Sequence, residues 1–245
     1  MGSEMCIRDR IKTTADIREI PVFASMWNMD GLILMGFCEA DYEALRSQTR
    51  ISFVVYDGYF AACSKVVNLT IGHYDGGYQA GQYARELGHT KALCLADNDL
   101  CMDKERMDGF RAAFAPGKAL FWQIPALQKE RSAYYAEHFR SFLNLHSTVV
   151  FAASDFYALD FMRFLQTKGV RIPDDVQIIG FDDTAASRES VPTLTTVHQD
   201  AAQRAKTALA CLEAMRSGRE CEAQIVLPVT LIPRESTRKM PCRTL

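Results

Sequence analysis

With 245 residues, 48% of them hydrophobic, the chain is long enough to bury a sizeable core as one large domain or as two lobes. Charged residues make up 24% of it at a net charge of -2, with no basic stripe, which argues against direct nucleic-acid binding by this chain. No apolar run is long enough to span a bilayer, and the eight cysteines lie scattered without a CxxC pair, as reduced thiols in a cytoplasmic protein would.

The first ten residues, MGSEMCIRDR, carry neither a signal-peptide core nor a fold element and read as a tag or gene-boundary artefact. Residues 11–26 form a candidate helix. GLILMGF (31–37) reads as a buried strand, EADYEAL (39–45) as a helix, ISFVVY (51–56) as a second buried strand stopped by Asp57-Gly58, and VVNLTI (66–71) as a shorter one. In YDGGYQAGQYARELGH, residues Gly77, Tyr78, Gly81, Ala84 and Leu87 share a helical face, with Gly88 as C-terminal cap; such small residues would let the helix lie close to a sheet. KALCLA (91–96) is the next strand, and Met107, Phe110 and Phe114 mark the helix after it. Ser132 is a candidate cap for a helix burying Tyr135, Phe139 and Phe142. TVVFAA (148–153) is a strand ending in Ser154-Asp155, followed by a helical stripe of Ala158, Met162 and Leu165. VQIIGF (176–181) is a strand ending in Asp182-Asp183. A long helix runs over 200–218, and QIVLPVTLIP (224–233) is an extended segment interrupted by Pro228.

Strands apolar on both faces, alternating with helices, indicate parallel sheets covered on each side. In such sheets ligands bind at the carboxyl ends of the strands. Asp57, Ser154, Asp155, Asp182 and Asp183 each follow a strand's last apolar residue, so separate strand tips deliver polar groups to one edge.

VQIIGFDD, VPTLTTVHQD and IVLPVTLIPRESTR, with NMDGLILMG, YDGGYQAGQYARELGH and ERMDGF before them, resemble in order the effector-binding core of LacI/GalR-family transcriptional regulators, over residues 28–238. The resemblance implies an α/β, two-lobed type I periplasmic-binding-protein-like fold with a small molecule between the lobes. It puts residues 11–71 plus 200–227 in an N-terminal lobe and 72–199 plus 228–238 in a C-terminal lobe. Nothing before residue 28 resembles the family's helix-turn-helix headpiece or its opening strand-helix-strand unit. The expectation is a chain without the headpiece and with an incomplete N-terminal lobe.

The resemblance also implies the ligand groups. Asp182 matches the acid that accepts from ligand hydroxyls or ring N–H groups. Arg106 matches an arginine whose planar fork takes a sugar oxygen, a purine or a carboxylate. Ser154 stands where many members have Asn, and Asp57 matches an N-terminal-lobe contact. Asp155 and Arg131 are further candidates. Each has a plainer reading. Arg106 and Arg131 read as solvated helix residues, Asp155 as a helix N-cap, Asp183 as a loop or cap acid, and Asp57-Gly58 as a turn. The histidines at 73, 89, 138, 146 and 198 show no ligand spacing and read as surface or capping residues, and Trp27 and Trp122 as packing.

The implied function is a small-molecule effector sensor, with a sugar or related metabolite as effector. Ligand-induced lobe closure would be coupled to DNA binding in the full-length homodimer, with the operator contacted only through the headpiece. The alternative is a transport receptor of the same fold, which would need an export signal. An enzyme is disfavoured: the paired acids suggest Mg²⁺ at most, and no GxGxxG, P-loop, serine elbow or metal-ligand cluster is present, so neither metal nor cofactor is expected.

Overall fold

The computed structural model describes residues 19–26, 28–35, 39–58 and 67–239. The expectations for residues 1–10, 11–18 and Trp27 lie outside the described residues. The chain divides into two compact units, residues 1–69 with 206–225, and residues 70–205 with 226–245.

In the first unit, α1 (Glu19–Met26) precedes β1 (Gly31–Met35), α2 (Glu39–Arg46), β2 (Ser52–Tyr56) and β3 (Asn68–Ile71), whose last two residues already belong to the second unit. β1, β2 and β3 are parallel neighbours, and β9 (Gln224–Leu227) completes the order β1-β2-β3-β9. Leu34, Leu45, Phe53 and Val55 form its core. Gly31 lets α8 (Ala201–Arg216) approach, since a β-carbon there would meet the Leu212 side chain at 3.0 Å. Ile33 and Met35 of β1 are exposed, unlike the doubly covered strands described next.

The second unit is built on the sheet β10-β8-β7-β6-β4-β5. Its strands are β4 (Lys91–Ala96), β5 (Lys118–Gln123), β6 (Val149–Ala152), β7 (Gln177–Asp182), β8 (Thr195–Gln199) and β10 (Val229–Ile232). All neighbours are parallel except β10 on β8. Side chains alternate between faces with the period of two that a pleated strand imposes. Cys94, Phe151, Ile179 and Phe181 point to one side, under Ala80 and Ala84 of α3 (His73–Glu86) and Met107, Phe110 and Phe114 of α4 (Cys101–Phe114). Leu93, Leu95, Val150 and Ile178 point to the other. There they meet Tyr135 and Phe142 of α5 (Gln128–Leu145) and Ala158, Phe161 and Leu165 of α6 (Asp155–Thr167). Completing the elements, α7 (Ala185–Glu189) follows β7.

Three local readings are corrected. Gly76, not the Gly77/Gly81 stripe, faces the sheet, meeting Phe181 and Val197. Gly77 and Gly81 face α4, where a β-carbon would lie 1.9 Å from the Arg106 carbonyl oxygen and 2.3 Å from that of Phe110. Ser132 lies inside α5, which starts a turn earlier without a side-chain cap. The segment 224–233 is two strands: Pro228 has no N–H for a ladder, and the chain changes sheets there.

Candidate functional site

The register of the second sheet decides which side chains meet. Leu95 pairs with Ala152 and Phe151 with Ile179, so continuing the ladder a few residues brings Asp97, Ser154 and Asp182 to one level of the carboxyl edge. β8 reaches the same level, with His198 opposite Asp182.

Asp182 is the centre of this edge. Its φ of 121° and the φ of 53° at Asp183 are both left-handed, a conformation that costs a non-glycine residue about 1–3 kcal/mol and persists only where surroundings enforce it. Ser154 Oγ donates to Asp182 Oδ2 at 2.9 Å, Gln199 Nε2 donates to Oδ1 at 3.0 Å, and Arg106 Nη1 lies 3.4 Å from the same oxygen. Burial raises the Asp182 carboxyl above its ordinary range, against the opposing pull of Arg106 and Ser154.

Arg106 is buried, which corrects its reading as a solvated helix residue. Its Nη1 donates to the Ala153 carbonyl at 2.5 Å, its Nε donates to His73 Nδ1 at 3.1 Å, and its guanidinium sits 3.9 Å from the Phe181 ring centroid. In this contact His73 Nδ1 is the acceptor of the Arg106 Nε–H. The close contact of α3 with α4 fixes this side chain's origin. Besides Gly77 on the Arg106 carbonyl, a β-carbon at Gly109 would lie 2.0 Å from the Tyr74 carbonyl oxygen. No bulkier residue at 77 or 109 would let α4 sit where Arg106 reaches under the strand tips.

The other candidates separate. Ser154 caps α6, accepting from Phe156 N at 3.2 Å while donating to Asp182. Asp155 is therefore not the cap. It is fully buried, and its carboxylate accepts from Thr184 N at 2.8 Å, Thr184 Oγ1 at 3.1 Å and Thr196 Oγ1 at 2.5 Å, while burial lifts its pKa to about 6. Asp183 is no cap either, since Thr184 caps α7. It turns away from Asp182 to pair with Arg234 at 2.5 Å and His198 at 2.8 Å. Burial alone would raise its carboxyl, but these partners hold it below the ordinary range. Arg131 is buried rather than solvated, donating to the carbonyls of Pro125 at 2.8 Å and Ala126 at 2.6 Å and pairing with Asp160 at 3.0 Å. Asp57 lies in the first unit at the tip of β2, nearly buried, with a left-handed φ of 50°.

Sequence reasoning missed Gln199, His73, Asp97 and Asp103. Asn98 Nδ2 donates to Asp97 Oδ1 at 2.6 Å and lies 3.4 Å from Asp103 Oδ2. Asp103 is lifted to about 6, first by burial, against the attraction of Arg106 and with the repulsion of Asp97 and Asp182. Tyr157 hydrogen-bonds Asp97, and burial with the two nearby carboxylates raises its hydroxyl. Asp97 follows KALCLA as Asp182 follows IIGF, so the strand-tip rule would have found it. His73 and His89 are buried, contrary to the surface reading. His146 caps α5 in the left-handed region, and Trp122 packs edge-on to Phe142. Among the described residues no cluster of three His, Cys, Asp or Glu could hold a metal ion, and no helix is long and apolar enough to cross a membrane.

Comparison with known proteins agrees with this architecture. The sequence pattern of the periplasmic binding protein-like domain family matches residues 82–237. The HTH-type transcriptional repressor PurR of Vibrio cholerae is 34% identical over 62% of this chain and 46% of its own length. The HTH-type transcriptional regulator DegA of Bacillus subtilis is 32% identical over 66% and 49%. The chain thus spans about half the length of these curated relatives. Among solved structures, a periplasmic binding protein/LacI transcriptional regulator from Alkaliphilus metalliredigens complexed with D-xylulofuranose superposes with a TM-score of 0.78 at 24% identity, covering 91% of this chain and 84% of that one. A LacI family regulator from Enterococcus faecium with bound ribose gives 0.78 at 24%, covering 93% and 86%. A dimeric Lac repressor gives 0.78 at 20%, covering 91% and 84%.

Proposed function

The chain belongs to the periplasmic binding protein-like domain family, as an effector-binding domain of the LacI-regulator type, and from that premise we propose that it binds a sugar or related polar metabolite at the carboxyl edge of its six-stranded sheet. Asp182 accepts from ligand hydroxyls, Arg106 donates to a ligand oxygen, and Ser154 orients Asp182 while offering its own oxygen. In the longer protein, a homodimer, the bound ligand shifts a conformational equilibrium read out as operator affinity. Such a shift is limited by the ligand's differential affinity for the two states.

The observation that carries this reading is the convergence of three donors from α4, the β6 tip and β8 on one part-buried carboxylate in a strained backbone. Unlike Asp155, which is fully buried, the Asp182 carboxylate stays part exposed at the strand tips, where a ligand hydroxyl can reach it. The sugars named with the Alkaliphilus and Enterococcus structures support the ligand class. The curated relatives, named as regulators, favour a sensor over a transport receptor. The test is a thermal-shift screen of sugars, sugar phosphates and nucleobases. A true ligand raises the melting point because it binds only the folded form, by about 2.7 kcal/mol at a hundredfold excess over Kd. Asp182→Asn abolishes that shift. An Asp182→Asn variant that responds like the parent places the site elsewhere.

A further inference from the structure

Cys211 and Cys221 stand 10 positions apart, and no motif pairs them in the sequence; the fold brings them together. The helix α8 ends in a turn that reverses the chain. Ser217 N donates to the Glu213 carbonyl at 3.0 Å, Gly218 takes a left-handed φ of 69°, and Arg219 N donates back to the Ala214 carbonyl at 2.9 Å. The chain leaving this turn runs back along the last turns of the helix. There the Cys221 thiol donates to the Cys211 carbonyl at 3.4 Å. Cys211 is buried and Cys221 is half-buried. Burial first, and then the neighbouring Cys221 sulfur, raise the Cys211 thiol. Just beyond Cys221, the Ala223 carbonyl accepts from Asn68 N at 2.8 Å, where β9 joins β3. We propose that Cys211 and Cys221 are a peroxide-sensitive modification site, in which oxidation closes a reversible disulfide between the end of α8 and the segment entering β9.

The more accessible sulfur and the buried one take different parts. The Cys221 sulfur, as thiolate, attacks one oxygen of hydrogen peroxide. The O–O bond breaks, Cys221 becomes a sulfenic acid, and the other oxygen leaves as water. The Cys211 sulfur then gives up its proton and attacks the Cys221 sulfur. The S–O bond breaks, and the hydroxyl leaves with that proton as a second water. The two thiols lose two electrons in all, and one peroxide gains them. A dithiol reductant restores both thiols by exchange. The bond fastens the helix that carries Leu212 against Gly31 of β1 to the strand that lies beside β3. Of the other described cysteines, both in the second unit, Cys94 is fully buried with its thiol pushed up to about 12 by burial, and Cys101 is exposed at the start of α4.

The experiment treats the reduced full chain with hydrogen peroxide at pH 7.5, native and unfolded in urea, with dimedone present to trap sulfenic acid. Remaining thiols are alkylated and the chain is digested with trypsin. Cleavage after Arg216 and Arg219 separates the two cysteines, so their disulfide joins two peptides that dithiothreitol releases. The ratio of linked peptide to dimedone-trapped Cys221 is about tenfold higher in the native chain, because the fold holds the sulfurs together instead of leaving loop closure to diffusion. Cys211→Ser converts the linked species into trapped Cys221. The proposal is overturned if the native ratio is no higher than in urea, if Cys221 joins a different cysteine, or if Cys221 stays reduced while Cys101 is oxidised. These three readings come from the parent chain, so they hold whether or not the variant folds.

Discussion

Replacing Arg106 with alanine tests the site without knowledge of the ligand. The guanidinium is 8% exposed as a residue. Its loss removes the Nη1 donor from the Ala153 carbonyl, the Nε donor from His73 Nδ1 and a cation from the Phe181 face. Hydrogen bonds from a charged donor contribute about 1.5–3 kcal/mol each, and a cation–π contact about 0.5–2 kcal/mol. Asp182, whose side chain is 21% exposed, also loses its countercharge; breaking a buried pair from one side costs about 3–5 kcal/mol, and the part exposure of Asp182 keeps this one at or below the lower end. These terms overlap, because water enters the space and Asp182 can protonate, so about 3 kcal/mol is the expected loss. For a domain of this size that lowers the melting point by about 6–12 °C. Urea denaturation of the ligand-free chain at pH 7.5, followed by far-UV circular dichroism, measures it. The double variant Arg106→Ala, Asp182→Asn recovers about 1–3 kcal/mol, since the stranded charge is gone. An Arg106→Ala protein within about 0.5 kcal/mol of the parent would show a solvated arginine and refute the geometry.

Three further outcomes follow from the same contacts. Asp103 and Asp155 have folded pKa values of about 6, above the ordinary 3.8. Raised acids add stability that is full below the ordinary value and lost as pH rises from about 4 through 6, by up to about 3 kcal/mol for fully buried Asp155 and less for the partly exposed Asp103. Buried His89, held below its ordinary range, acts in the opposite sense over the same interval, so the test is a comparison: Asp103→Asn should raise the melting point at pH 7.5 relative to the parent by more than at pH 5.5, and a variant offset from the parent by the same amount at both pH values contradicts the assignment. Gly77→Ala forces α3 off the Arg106 carbonyl and should lower stability by about 2–4 kcal/mol by overpacking against backbone, with ligand affinity falling too. An unchanged urea midpoint would show that the two helices do not touch there. Arg234→Ala strands Asp183 in a buried position and should cost about 3 kcal/mol, whereas Arg188→Ala, a more exposed partner at 3.8 Å, should cost under about 1 kcal/mol; equal effects would refute the pairing.

The sheet of the second unit was legible because strands covered on both faces leave continuous apolar runs, and KALCLA, TVVFAA and VQIIGF each became one. The edge strand β5 was not, since KALFWQ is mostly half-exposed and its composition is ambiguous between strand and loop. The tips of β6 and β7 were readable by the same logic, and Ser154 and Asp182 do meet. What the chain order hides is direction. Two adjacent left-handed residues send Asp182 towards Arg106 and Asp183 towards Arg234, so neighbours in sequence serve different ends. Arg106 and Arg131 had looked like ordinary helix-surface residues because their neighbours are polar. Their burial comes from contacts 47 positions away at Ala153 and 29 positions away at Asp160, which no local pattern records.

That divergence also bears on why two acids stand at one tip. A metal would need both carboxylates on a common point, and the backbone turns them apart. Asp183, tied through Arg234 to the segment after β10, holds the loop; Asp182 is left with donors from three separate elements already in place before any ligand arrives. The residue with φ 121° is thus flanked directly by the Asp183–Arg234 pair. A ligand meeting such a carboxylate loses little entropy in ordering it, and preorganisation of this kind converts a few contacts into affinity. Selectivity then comes from the same source. A carboxylate held by fixed donors cannot swing to suit a different hydroxyl pattern, and a ligand that leaves it or Arg106 imperfectly paired forfeits about 1–3 kcal/mol for each buried group.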